Sequence, residues 1–158
     1  MKILVFSDTH DNINECIDII NKTDGVRYII HAGDHAQDAE DLDAIFENIQ
    51  THYVSGNNDP FSRAPFEKLV TIEGKKIFIT HGHTFNVRQT NERLSLRAKE
   101  AGADIAVFGH THQSCDEYVL GVHVFNPGSM GYYPRTYGVI EIENDKIHTE
   151  ILRYKFEI

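Results

Sequence analysis

Apolar residues gather into short runs, each closed by a polar, Gly-rich or His-rich tip: Lys2 to Phe6, Val26 to Ile30, His52 to Val54, Lys76 to Ile79, Ile105 to Phe108 and Val122 to Phe125. Runs of this length bounded by turn residues read as buried strands. Between the first two, Ile13, Cys16, Ile17 and Ile20 recur at spacings of three and four, the period of an amphipathic helix. Leu42, Ile45, Phe46 and Ile49 repeat that period ahead of the third strand. A third helix is expected over about residues 91 to 101, with Leu94, Ala98 and Ala101 on one face and Gly102 at its end. Strand, helix, strand, helix, strand implies right-handed crossovers and a parallel sheet.

The second half changes character. Glu73-Gly74 joins two strand-like runs, Gly121 divides Tyr118-Val119-Leu120 from Val122-His123-Val124, and Asn144-Asp145 separates Gly138 to Ile142 from Lys146 to Leu152. These are hairpin signals. Two sheets packed face to face, with helices outside, accommodate both halves. With no linker, repeat or low-complexity segment in 158 residues, the chain is expected to form one domain over 1–158.

Charge narrows the partners. Fifteen basic residues against 24 acidic ones give a net charge of −9, which argues against extended nucleic acid or an anionic membrane, since both select a basic surface. The first apolar run is too short for a signal peptide or membrane span, and Cys16 and Cys115 are far apart and form no Cys-x-x-Cys pair. A reducing, cytoplasmic compartment is expected, and a homo-oligomer is left open. The unusual feature of the composition is ten His beside two Cys, two Met and no Trp.

Several of those histidines stand at strand ends. Asp8-Thr9-His10 follows the first strand, Gly33-Asp34 the second, Gly56-Asn57-Asn58-Asp59 the third, His81-Gly82-His83 the run ending at Ile79, and His110-Thr111-His112 the run ending at Phe108. Residues two apart on an extended chain point the same way, so Asp8 and His10 are expected to converge, as are His110 and His112. The C-terminal edge of such a sheet is where α/β folds build sites. Carboxylates brought together there repel unless one is protonated or a cation intervenes. Mixed imidazole, carboxylate and amide donors suit Mn, Fe, Zn, Co or Ni, whereas Ca prefers an all-oxygen cage. The seven candidates, Asp8, His10, Asp34, Asn57, His81, His110 and His112, are too many for one tetrahedral ion and natural for two ions sharing a carboxylate.

Together with Asn126-Pro127-Gly128-Ser129 and Pro134-Arg135, these motifs make the chain resemble the calcineurin-like metallophosphoesterase superfamily, and its small single-domain prokaryotic phosphodiesterases in particular. The resemblance implies an α/β fold in the form of a four-layer αββα sandwich with two mixed β-sheets and a dinuclear centre. It places Asp8, His10 and His112 on one ion, Asn57, His81 and His110 on the other, and Asp34 between them. Manganese is the first expectation for the two divalent ions, with Ni, Zn, Fe, Co or Mg as alternatives.

The implied reaction is hydrolysis of a small phosphate ester, most readily a diester, by in-line attack of a hydroxide shared by the ions. Many family members carry His where this chain has Asn58, and an amide donates a hydrogen bond but delivers no proton. Good leaving groups, such as aryl esters, are therefore expected to be favoured. His83 is a further candidate for a role beside the metals or substrate, while His31 and His35 are expected to pack or to touch the site's edge. Arg135 is open between phosphate and an ion pair, and Arg88, Arg93, Arg97 and Lys99 read as a solvated helix face. Two other functions remain, a phosphomonoesterase using the same metals and a catalytically weak interaction scaffold of the same fold, as in a eukaryotic retromer subunit.

Overall fold

The computed structural model describes residues 1–155. Its elements run β1 (Lys2–Phe6), α1 (Ile13–Lys22), β2 (Val26–His31), α2 (Ala36–Ile45), β3 (Gln50–Tyr53), β4 (Glu67–Ile72), β5 (Lys75–Thr80), α3 (Glu92–Glu100), β6 (Ile105–Val107), β7 (Cys115–Val119), β8 (Val122–Asn126), β9 (Thr136–Glu143) and β10 (Lys146–Arg153), with a single 3₁₀ turn over His83–Phe85. One five-stranded sheet has the order β10-β9-β1-β2-β3 and the other β4-β5-β6-β8-β7. Both are mixed: β1, β2 and β3 are parallel, as are β5, β6 and β8, while the hairpin strands add antiparallel edges.

Side-chain alternation explains the layers. Ile3 and Val5 on β1 face a central core shared with Ile77 and Ile79 of β5 and Ile105 and Val107 of β6. Leu4 and Phe6, pointing the other way, pack with Cys16, Ile19 and Ile20 of α1 and Leu42 of α2. On the far side, Phe78, Ala106, Phe108 and Val124 receive Leu94 and Ala98 of α3. Helices, sheet, sheet and helix therefore stack as an αββα sandwich.

The three hairpin turns fall where the dipeptides place them. Glu73-Gly74, Leu120-Gly121 and Asn144-Asp145 all have positive φ at both residues, the backbone of the tight turn whose twist matches that of the strands. Strand limits shift by one or two residues from the apolar runs; β3, for instance, ends at Tyr53 and Val54 is buried beyond it.

The second helix departs from its pattern. It begins at Ala36, just ahead of the polar stretch Gln37-Asp38-Ala39-Glu40-Asp41, and stops at Ile45, which is exposed. Phe46 and Ile49 still pack on the β1 side of the core, but through a turn in which the Ile49 N–H donates to Phe46 O. The period of three and four continues past the helix because the chain stays on the same core face. α1 and α3 lie within a few residues of the spans that their periodicity indicates.

Candidate metal centre

Parallel pairing brings the C-terminal tips of β1, β2 and β3 to the same end of the sandwich as those of β5, β6 and β8. Asp8 and His10 follow β1, Asp34 follows β2, Asn57 and Asn58 follow β3, His81 and His83 follow β5, and His110 and His112 follow β6.

Their convergence does not come from strand alternation. Asp8, His10, Asp34, His110 and His112 all have φ between 46° and 70°. Left-handed backbone is uncommon outside Gly and collects at functional sites. The strands have ended, and each tip curls so that its side chain turns inward. The expectation of an extended Asp8-Thr9-His10 segment is thus corrected: the pair converges through two left-handed residues.

Close approach of the loops demands glycine at two of these tips. A Cβ on Gly33, itself at φ 96°, would stand 2.9 Å from both Gly56 N and His81 Nδ1. One on Gly56 would fall on the Asp34 carboxylate.

Two sets of donors meet there. Asp8, His10 and His112 form one, and Asp8, Asp34 and His81 another, with the candidate ligand atoms of each set within 4.8 Å of one another. His112 Nε2 is 3.2 Å from Asp8 Oδ1, and His81 Nε2 is 3.4 Å from Asp34 Oδ1 and 3.8 Å from Asp8 Oδ1. On the remaining side, His110 Nδ1 is 3.0 Å from Asn57 Oδ1, and the His81 and His110 rings lie 5.1 Å apart. All seven sequence candidates are in one place.

Buried polar atoms almost always find hydrogen-bond partners. Six buried side-chain atoms among the described residues have none, and four of these belong here: Asp8 Oδ1, His10 Nε2, His81 Nε2 and His83 Nδ1. Ala32 O accepts from His81 Nδ1 at 2.8 Å, so Nε2 is the nitrogen turned toward the carboxylates. Unpaired carboxylate and imidazole atoms facing one space fit divalent cations in donor type and in charge.

The charges follow from burial and neighbours. Burial lifts Asp8 above the usual carboxylate range, although His81 and the Ser7 hydroxyl pull it back. Burial also opposes ionisation of Asp34, yet His81 and the two Asn58 donors hold that carboxyl well below its ordinary value. His110 is pushed down to about 4 by burial and by the cations of His81 and Arg88. His10 is lowered by burial and His35. His10 and His110 are thus favoured in the neutral form that binds metal, whereas burial opposes the charge on His81 but Asp34 and Asp8 outweigh it and hold that ring above its ordinary value.

Several residues complete the site without having been singled out by pattern. Asp59 accepts from Asp34 N at 2.9 Å, Gly56 N at 2.7 Å and Ala36 N at 2.9 Å, which ties the β2 and β3 tips together. Its place as the fourth residue of Gly56-Asn57-Asn58-Asp59 is the signal that could have found it. Tyr132 stacks on His112 at 4.8 Å and meets His10 edge-on at 5.0 Å. Arg88 is not part of α3; it lies in the preceding loop, and its Nε donates to His110 Nε2 at 3.1 Å. The reading of Arg88 as solvated helix face is corrected accordingly, while Arg97 lies on α3 and pairs at the partly exposed surface with Glu67 at 2.7 Å.

The weaker candidates also take definite places. His83 packs near His81 and His110, with ring centroids at 5.5 and 6.2 Å. Asn58 donates through Nδ2 and its backbone N–H to the two Asp34 oxygens, at 2.9 and 3.0 Å. His31 is fully buried beneath the site: its Nδ1 accepts from Gly33 N, and its Nε2–H donates to Thr9 Oγ1. His35 pairs with Asp11 at 3.2 Å and packs on His10. Asn126 donates to Gly109 O, Ser129 donates to Asp8 O, and Arg135 stands 3.6 Å from Glu15.

Comparison with known proteins meets this geometry. The chain is 33% identical over 152 residues to a probable metallophosphoesterase of Bacillus subtilis, covering 92% of this chain and 86% of that protein. It is 34% identical to a phosphodiesterase of Methanocaldococcus jannaschii, covering 96% of this chain and 99% of that one. The solved structure of an archaeal phosphodiesterase superposes with a TM-score of 0.71 at 31% identity, covering 96% of this chain and 100% of the other. A zinc complex of Vps29 from Entamoeba histolytica shares the fold, with a TM-score of 0.73 at 21% identity over 98% of this chain and 100% of its own. The family model for the calcineurin-like phosphoesterase superfamily domain matches residues 1–145, a span that holds both sheets' parallel strands and every loop bearing a candidate ligand, and the chain belongs to that superfamily.

Proposed function

We propose that the protein is a metal-dependent phosphodiesterase acting on small phosphate diesters, with manganese as its first-choice ion. The observation that carries this reading is the set of buried, unpartnered Asp8 Oδ1, His10 Nε2 and His81 Nε2 atoms around one space. Asp8, His10 and His112 would hold one ion, Asn57, His81 and His110 the other, and Asp34 both. When bound, two such ions polarise a phosphoryl oxygen and lower the pKa of water so that it attacks phosphorus in line.

The chain's own residues supply orientation and charge. Asn58 fixes both Asp34 oxygens, Ala32 O selects the His81 nitrogen that faces inward, and Tyr132 holds the His10 and His112 rings. No general acid stands at position 58, because an amide has no titratable proton to give. A leaving group that is stable as an anion departs without help, whereas an alkoxide does not. This favours aryl diesters. A phosphomonoester would bring a second negative charge to a site whose rim already carries Asp11 and Asp59.

Among the described residues no helix is long and apolar enough to cross a membrane, and both thiols, Cys16 and Cys115, are free; the cytoplasmic location expected from the sequence is kept as part of this proposal. The test is to strip the protein with chelator, return single metals, and assay an aryl phosphodiester beside its monoester. Metal-restored hydrolysis, faster on the diester, is expected. Absence of hydrolysis of both would end the enzyme reading.

A further inference from the structure

We propose that the cavity beside Asn58 is a subsite for one ester group of the substrate, and that it takes a flat, uncharged ring bearing an amine, of the nucleobase kind. The proposal rests on the phosphodiesterase reading above and names the class of diester it serves. The cavity is an open cleft of about 280 Å³ between the first turns of α2 and the loop after β3, and is lined by His35, Gln37, Glu40, Asn58 and Phe61, among others.

Two of these residues connect it to the metal centre. Asn58 Nδ2 is 2.9 Å from Asp34 Oδ2, and the His35 ring packs 4.8 Å from that of His10. Asn58 and His35 thus border both the candidate metal centre and this space, so one ester group of a diester held at the centre would have this space as its neighbour. The volume lies just under the range of about 300–1,000 Å³ for drug-sized ligands, which suits a single ester group and not a polymer.

Phe61 gives the cavity its chemistry. Phe61 is 96% exposed, so the fold gains almost no burial from this ring. A flat ring laid against Phe61 would bury both faces, and stacking of this sort is indifferent to base identity. Polarity then selects among rings. Glu40 accepts from the Tyr53 hydroxyl through Oε1 at 3.2 Å, leaving Oε2 as an acceptor for an amine. The Asp59 carboxylate is already taken by three backbone N–H groups.

Charge sets the limit on the other side. Among the described residues, none lining the cavity is Lys or Arg. A second phosphate, as in a nucleoside polyphosphate or a sugar bisphosphate, would meet Glu40 with no compensating cation. The structure thus favours a diester whose single negative charge is at the metals and whose ring is neutral.

The experiment has a binding arm and a kinetic arm. In the zinc-loaded full chain, adenosine is titrated while the His35 imidazole resonances are followed. A saturable shift is expected in the wild type and its loss in Phe61→Ala, and inosine, with a carbonyl in place of the amine, should bind about fivefold more weakly. In the kinetic arm, the ratio of kcat/KM for the p-nitrophenyl diester of adenosine 5′-phosphate over methyl p-nitrophenyl phosphate should fall about tenfold in Phe61→Ala, a change of the size that one stacked ring contributes. An absent or unchanged His35 shift, or an unchanged ratio, overturns the subsite. If neither ester is hydrolysed the phosphodiesterase reading fails, and the His35 shifts alone then decide the subsite.

Discussion

Arg88 Nε stands 3.1 Å from His110 Nε2, and the other nitrogen of the same ring is 3.0 Å from Asn57 Oδ1. A guanidinium only donates, so Nε2 is the acceptor and the ring proton sits on Nδ1, shared with Asn57. That is the tautomer opposed to metal binding at Nδ1, which requires its lone pair and moves the proton to Nε2, against Arg88. Arg88→Ala should therefore tighten binding of one ion by roughly fivefold, in keeping with about 1 kcal/mol for an exposed charge-assisted bond. Competition with a chromophoric chelator measures this; equal affinity in the two proteins would show that Arg88 does not restrain the ring.

Asn58 leads to a prediction in the opposite direction, a gain of activity. Its amide sits where it can contact a departing oxygen, 2.9 Å from Asp34 Oδ2, yet it carries no transferable proton. General acids contribute about 10²–10⁴ where leaving groups are poor. Asn58→His should raise kcat/KM for an alkyl ester at least about tenfold more than for a p-nitrophenyl ester of the same phosphate. Rate ratios across a leaving-group series provide the check, and an equal effect on both classes would remove position 58 from leaving-group chemistry.

Asp34 is expected to matter for metal capacity as much as for rate. Even partners that only orient ligands cost about 10–100-fold when removed, so loss of a carboxylate shared by two ions should cost at least about a hundredfold in activity. An ion at 100 times its Kd stabilises the fold by about 2.7 kcal/mol, or about 5–10 °C for a chain of this size. Asp34→Ala should lose most of that metal-induced rise. A variant that still gains the full rise in a thermal melt would show that this carboxylate is not a shared ligand.

Much of this architecture is legible because each β1, β2, β5 and β6 run is a short, nearly unbroken apolar segment, as strands covered on both faces must be. The hairpins announce themselves through Glu73-Gly74 and Asn144-Asp145. The start of α2 is not legible, because Gln37-Asp38-Ala39-Glu40-Asp41 shows little apolar period and Asp38 is buried by a hydrogen bond to Thr9, not by hydrophobicity. The candidate ligand residues are visible as motif tips, but the left-handed backbone of five of them is not, since Asp and His allow it without requiring it. Tyr132 and Arg88 reach the site from segments with no motif of their own, through contacts to His112 and His110 that only the folded chain reveals.

His31 makes a prediction about acid. Fully buried, it spends both ring nitrogens in the neutral form: Nδ1 accepts from Gly33 N at 3.1 Å, and Nε2–H donates to Thr9 Oγ1 at 2.9 Å, whose own hydroxyl donates to Asp38 at 2.6 Å. Burial, outweighing the nearby Asp59 charge, pushes its pKa down to about 4, against 6.5 for an ordinary imidazole. The unfolded chain therefore takes up the proton first. Stability from this group is complete above pH 6.5 and is lost as pH falls toward 4, where a protonated Nδ1 would confront the Gly33 N–H. The linkage amounts to about 2 kcal/mol between pH 7 and pH 4.5. His31→Gln keeps a donor for Thr9 but has nothing to titrate, so it should be less stable at pH 7 and lose about 2 kcal/mol less than the wild type on acidification. Urea unfolding of the two chelated proteins across this range measures the difference, and parallel pH profiles would mean that His31 does not link the Asp34 loop to acid stability.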